Sequence, residues 1–298
     1  MFEYEVLQKM AHLLRYPCKL PPDLLGMGYG SDYAGKLQAG IDSTHSTDTL
    51  FFSKKNGCNV DLLGMGERYM AFLLEISPFV LAYRPQYPLL NPKASSDLDD
   101  YVCGILEKMP EIKRSQVMSI DIAITARDEI LHPGSLINDR LTYLMLSHKR
   151  KEVLHSKPIR RRLARERRVA VENGFTYAVY SRSEHLEECG LSAKQIMIWG
   201  RDLDFDASWV NASRVAECVV ASYAGERLWD FLAKIGVELR MDTEYVLQLF
   251  AAAVNFGLLS IDLSFEVGER RKIYLLKRTE VVPPWISFCG KANCCLEG

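Results

Sequence analysis

Asp121 lies within Gln116-Val-Met-Ser-Ile-Asp-Ile-Ala-Ile-Thr125, where Ile120, Ile122 and Ile124 alternate with Ser119, Asp121 and Ala123. That is the period-two pattern of a strand with one buried face. A carboxylate is costly to bury unpaired, so Asp121 must be exposed, paired with a base, or held against a metal. Two other stretches offer it company: a helix that opens with Glu67 and a second strand, Leu141-Thr-Tyr-Leu-Met-Leu-Ser-His-Lys149. Phosphodiester hydrolysis needs one or two divalent cations held by hard oxygen ligands, which polarise the phosphoryl oxygen and activate a water. A nearby lysine stabilises the charge that develops. Glu67, Asp121 and Lys149 are therefore the candidate catalytic residues. Glu67, Asp121, the Ser147 hydroxyl and the His148 backbone carbonyl are the candidate ligands for Mg²⁺, with Mn²⁺ as its substitute. The plainer reading of Glu67 is a helix-start glutamate favoured by the dipole by ~0.3–1 kcal/mol. A strand aspartate followed by a strand lysine also arises by chance in many proteins.

The elements that must position these groups can be read from the pattern around them. Glu67-Arg-Tyr-Met-Ala-Phe-Leu-Leu-Glu75 is apolar nearly all round, which predicts a buried helix. The hexapeptide Asp-Leu-Leu-Gly-Met-Gly occurs at 23–28 and again at 61–66. Neither copy carries the third glycine or Gly-Lys-Ser of a phosphate cradle, so both read as tight turns, the second leading into the helix. The prolines of Phe79–Leu90 suit an edge strand or strand ends. A polar loop over 91–100 and short helices over Leu98–Lys108 and Tyr4–Arg15 are expected. On the second strand, alternation puts Tyr143, Met145, Ser147 and Lys149 on one face and Leu144, Leu146 and His148 on the other.

From Lys149 to Arg168 there are ten Lys/Arg against two Glu. Pro158 suits a first helical turn and Gly174 a C-terminal stop. Ile159, Leu163, Ala170 and Val171 form only a partial apolar stripe, so most of the arginines face outward. Such a run is often a solvated face. Here it directly follows the candidate site, which makes Lys157, Arg160, Arg161, Arg162 and Arg165 candidates for gripping DNA phosphates. Phe175-Thr-Tyr-Ala-Val-Tyr180 reads as a further strand.

The expected architecture is a mixed α/β domain over residues 1–185 and a second domain over 186–298. In the second, Ala207–Tyr223 and Glu226–Ile235 read as helices, with Gly236 closing the latter. Asp242 caps Thr243–Phe256, and Gly257 ends it. Two apolar strands, Leu258–Phe265 and Lys272–Leu276, complete the order of a winged helix.

The chain has 298 residues, 37 basic and 38 acidic, so affinity for nucleic acid must come from a local patch. Hydrophobic residues at 48% and charged ones at 25% are globular values. No apolar run reaches the ~20 residues of a membrane span. Met-Phe-Glu-Tyr-Glu has neither the basic region nor the apolar core of a secretory signal. Eight scattered cysteines read as reduced thiols, and a cytosolic, membrane-free protein is expected. Cys289, Cys294 and Cys295 cluster near the tail, but a zinc site would need a fourth ligand, and adjacent cysteines suit tetrahedral geometry poorly.

Three groups of segments together resemble the TnsA family, the endonuclease subunit of heteromeric transposases. They are Glu67–Glu75 with Tyr83-Arg-Pro-Gln-Tyr-Pro-Leu, then Val117-Met-Ser-Ile-Asp-Ile-Ala-Ile, and then Leu163-Ala-Arg-Glu-Arg-Arg leading to Gly174-Phe-Thr-Tyr-Ala-Val-Tyr. The resemblance covers about residues 60 to 185. In the second domain it rests mainly on the order of elements. It implies an N-terminal restriction-endonuclease-like domain, a mixed sheet flanked by helices, and a C-terminal winged-helix domain. It further implies magnesium on Glu67 and Asp121, a lysine at the next strand end, and cleavage at the 5′ ends of a transposon. A DDE transposase would cut the 3′ ends, and an AAA+ ATPase regulator would contact the C-terminal domain. Lys149 keeps the family's spacing to Glu166, whereas Lys157-Pro158 copies its lysine-proline pair but leaves too little chain before the following helix. The family has an acid or amide two residues before the lysine, where this chain has Ser147. That departure leaves open a scaffold that handles DNA or partners with weak or no chemistry, and a stand-alone nuclease or regulator is the third reading.

Overall fold

The computed structural model describes residues 20–33, 35, 49–90, 117–127, 141–277 and 280–289. The helices expected at Tyr4–Arg15 and Leu98–Lys108, the loop at 91–100, and Cys294 and Cys295 lie outside them.

A four-stranded mixed sheet organises the first half. Its strands are β3 (Val80–Leu90), β4 (Val117–Arg127), β5 (Leu141–His148) and β6 (Thr176–Tyr180), hydrogen-bonded in that order. A separate antiparallel hairpin precedes it, formed by β1 (Thr49–Ser53) and β2 (Cys58–Leu62). β3, β4 and β5 run antiparallel, while β5 and β6 are parallel. Parallel neighbours require a crossover, and α2 (Lys157–Glu172) supplies it. Its Pro158 sits in the first turn and Gly174, at φ 82°, releases the chain into β6, both as expected. β3 is the edge strand, which is where its prolines can be tolerated.

Helices cover both faces of the sheet. On one, α1 (Met65–Ile76) packs over Tyr83, Ile122, Ile124, Leu144, Leu146 and Tyr180. On the other, Leu163, Val169 and Ala170 of α2 meet Ala123, Met145, Tyr177 and Val179. The first Asp-Leu-Leu-Gly-Met-Gly copy docks on that second face. Asp23 there accepts from the Leu25 and Met27 amides and pairs with the buried Arg84 at 2.5 Å. The Tyr29 ring covers that guanidinium, and Tyr87 donates its hydroxyl to Asp23.

The three isoleucines expected on one face divide. Ile122 and Ile124 pack beneath α1, whereas Ile120 belongs to the cluster beneath α2. β3 changes sides in the same way, Tyr83 facing α1 while Tyr87 and Leu89 face α2. Both exchanges fall at Asp121 and at Gln86, the residue the register sets opposite it, whose φ of 53° takes the edge strand out of extended geometry.

The second half is helical: α3 (Glu184–Gly200), α4 (Phe205–Ser222), α5 (Leu228–Leu239), α6 (Thr243–Asn255) and α7 (Pro284–Cys289). α3 was not anticipated. It starts on a Ser183 cap and packs on α1, where Gly190 lets it approach: a Cβ there would lie 2.7 Å from that of Tyr69. Asp242 caps α6 as expected. Gly236 does not close its helix but lies inside α5, which ends at Arg240 in the left-handed conformation, φ 57°. The two strands expected after Gly257 reduce to one antiparallel bridge, Ile261 to Leu275. A single apolar cluster runs from Val60 through α1, α3, α4, α5 and α6 to Cys289, so the two halves share a core. No helix among the described residues is long and apolar enough to cross a membrane.

Candidate functional site

Glu67 reaches the sheet because the first turn of α1 has no bulk at Gly66. A Cβ there would sit 2.2 Å from His148 Nε2, so any larger residue would have to displace that ring from between the helix start and β5. The Glu67 carboxylate then turns inward. Oε2 accepts from the Leu63 amide and from Gln86 Nε2, each at 3.0 Å. Burial, and then the negative charge of Asp121, push its carboxyl up to about 8. Two carboxylates from distant segments thus act on one another across the end of the sheet.

Asp121 takes its hydrogen bonds on Oδ2, from the His148 amide at 2.5 Å and from Lys149 Nζ at 3.2 Å. Lys149 Nζ also donates to the His148 carbonyl at 2.7 Å. The Lys149 amide is held in turn by the Tyr180 carbonyl of β6. The structure therefore brings Glu67, Asp121, Lys149 and the His148 carbonyl to one place. The His148 ring lies on the α1 side against Tyr180, and burial lowers its pKa.

The Ser147 hydroxyl does not join them. It points to the opposite face and donates to Glu166 Oε2 at 2.7 Å. Glu166 is fully buried, takes a second hydroxyl from Tyr177, and pairs through Oε1 with Arg162 at 2.6 Å. Lys157, Arg160, Arg161 and Arg165 are exposed on α2. Lys157, Arg161, Arg165 and Arg168 recur every three or four residues and so form one stripe, opposite the buried Leu163, Glu166 and Ala170. Arg162 flanks that stripe, and the charge of Asp121 reaches it. Lys157 lies in the first turn of α2, beyond the short 3₁₀ turn Lys151–Val153, while Lys149 is the lysine that contacts Asp121.

The donor chemistry fits a hard divalent cation in part. Glu67 Oε1 and Asp121 Oδ1 take no hydrogen bond among the described residues, and a cation would offset the repulsion between the two carboxylates. No third His, Cys, Asp or Glu among the described residues joins them, so carbonyl and water oxygens would have to complete the shell. Cys289 is buried, and burial pushes its thiol up to about 12, which does not suit a thiolate ligand.

Gln86 and Gly66 belong to the site and were not anticipated. Gln86 is buried and strained, and its amide orients Glu67. Its sequence signals were a lone amide between Pro85 and Pro88 and its place in the Tyr83–Leu89 segment of the family resemblance, neither of which assigned it a role. Gly66 carried none beyond its place in the repeated turn. Compared with known proteins, the chain matches no family model and no curated protein.

Proposed function

We propose that the chain is a Mg²⁺-dependent DNA endonuclease, the subunit of a TnsA-type heteromeric transposase that cuts transposon 5′ ends during cut-and-paste movement. The observation that carries this reading is the approach of Glu67 to Asp121, with the Lys149 amine on the second carboxylate. Two further features support it. The mixed sheet with helices on both faces is compatible with an endonuclease-like core. The capped α6 after α5, followed by a loop closed by one bridge, is compatible with a reduced winged helix.

Glu67, Asp121 and the His148 carbonyl would hold the cation, which supplies a polarised phosphoryl oxygen and an activated water. The Lys149 amine lies beside Asp121, where it can meet charge developing on phosphate. The basic stripe of α2 sets the duplex against the site through backbone phosphates and reads no sequence. By the same resemblance, a DDE transposase cuts the other strand and an AAA+ regulator engages the helical C-terminal half.

The test is 5′ nicking of end-containing DNA with the transposase partner present. Asp121→Ala should abolish nicking and leave DNA and partner binding intact. Nicking retained by a folded Asp121→Ala protein would overturn the assignment. The engagement of Ser147 by Glu166 favours a second reading, an architectural subunit that binds DNA without cutting it. Wild-type protein that binds ends but never nicks them, in Mg²⁺ or Mn²⁺, would select that reading.

A further inference from the structure

The candidate cation site is short of a side chain. The Ser147 hydroxyl, a ligand on sequence grounds, donates to Glu166 on the opposite face. That leaves Glu67, Asp121 and the His148 carbonyl, whereas a small divalent ion takes about six oxygens in octahedral array. Gln86 stands where a further oxygen is needed. It is 2% exposed, and the register sets it opposite Asp121, between the pairs Pro85–Ile122 and Tyr87–Ile120. Facing residues of paired strands are neighbours whose side chains interact.

Gln86 Nε2 donates to Glu67 Oε2 at 3.0 Å, and the Leu63 amide donates to the same oxygen. Glu67 Oε1 and Gln86 Oε1 therefore both lack a hydrogen bond among the described residues. A side-chain amide has a donor end and an acceptor end on one carbon. Here the donor end is on the first carboxylate, so the acceptor oxygen lies beside it. The backbone adds an independent sign. A φ of 53° in a buried, non-glycine strand residue costs free energy, and such strain gathers at ligand clamps. Charge also favours an amide over a third acid. Two carboxylates already balance a divalent ion, and a further buried negative charge would be uncompensated.

We propose that the Gln86 amide oxygen is a direct ligand of the divalent cation, so that the side-chain ligand missing from β5 is supplied by the edge strand β3. The inference rests on the nuclease reading and adds a residue to it. Through its nitrogen Gln86 orients Glu67, and through its oxygen it meets the ion.

The test is Mn²⁺ binding to the full-length chain, with affinity read by electron paramagnetic resonance and the waters on the bound ion counted by proton relaxation. Gln86→Met keeps the bulk and replaces the hard oxygen by a soft thioether that Mn²⁺ does not favour. It should bind Mn²⁺ at least tenfold more weakly, and its bound ion should gain about one water. Gln86→Glu loses the N–H donor but keeps an oxygen in place, so its affinity should equal or exceed that of wild type. Circular dichroism melts show whether the variants fold, and if Gln86→Met does not, Gln86→Glu decides alone. A Gln86→Met protein whose bound ion carries the wild-type number of waters overturns the proposal. So does weaker binding by folded Gln86→Glu, which would leave the amide only its nitrogen's role on Glu67. A wild-type chain that binds no Mn²⁺, or binds it equally after Asp121→Ala, overturns the nuclease reading itself.

Discussion

Gln86 holds a backbone conformation that non-glycine residues rarely adopt, and it does so buried, with its amide on Glu67. Strain of this kind costs on the order of 1–3 kcal/mol and persists only where the surroundings enforce it. Gln86→Gly should therefore leave thermal stability nearly unchanged, because glycine relieves the positive-φ strain and that offsets the lost bond. Nicking should fall about tenfold or more, since a hydrogen bond to a charged group is worth ~1.5–3 kcal/mol. Parallel melting curves and nicking rates check this. Gly66 makes the opposite case. Gly66→Ala drives a methyl into the His148 ring and should cost ~1–3 kcal/mol, read by denaturant titration. Glu67 sets a pH dependence. Its carboxyl rises from an ordinary 4.5 to about 8 on folding, so the folded state binds the extra proton. The stability this contributes is full below about 4.5 and is lost as pH climbs toward about 8. The melting temperature of metal-free protein should drop across that window, and Glu67→Gln should flatten the drop. At this scale the sequence identified the two acids and the amine, because strand alternation and helix starts are local. Gln86 and Gly66 act through residues far along the chain, Glu67 and His148 respectively, and no spacing announces that.

The elements explain how those groups meet. α2 was legible at its ends, since a proline start and a glycine stop are short-range signals, but its apolar stripe was read one residue off: Val171 is exposed and Val169 is buried instead. Its outward stripe leads to a prediction about DNA. Arg161→Glu and Arg165→Glu together should weaken binding without regard to sequence and make the salt dependence shallower, by about 0.9 in slope for each phosphate no longer neutralised. Anisotropy titrations across a salt series measure both, and an unchanged slope would remove α2 from the interface. α3 was not legible for a physical reason. Gly190 is a poor helix former in mid-helix and is present because Tyr69 of α1 leaves no room for a side chain. β4 shows the same limit from the other direction. Its alternation looked unbroken, yet Ile120 and Ile122 face opposite ways, because a neighbouring strand distorts at Gln86.

In the whole molecule one buried cluster holds residues of both expected halves. Phe250 and Ala251 of α6 belong to the same buried cluster as Met70 and Leu74 of α1, the helix that carries Glu67. Thermal unfolding should accordingly be one cooperative transition, with calorimetric and van't Hoff enthalpies equal. Phe250→Ala should cost ~3–5 kcal/mol and lower the melting of the sheet along with that of the helices. Hydrogen exchange in β4 and in α6 would report whether they open together. Two separate transitions would show that the halves unfold as independent domains.

Local pattern by itself determined that the segments of the sheet are strands, the basic crossover helix, the caps at Asp242 and Gly174, and which acids and amine were worth attention. Tertiary structure alone decided that Glu67 and Asp121 share a location, that Ser147 turns to Glu166 instead, and that the cluster beneath α1 continues into the helical half while a second fills the α2 face. Periodicity and capping are carried by residues a few positions apart. Convergence depends on how closely a helix may approach a strand, and that distance is set by a missing side chain at Gly66 and a strained backbone at Gln86.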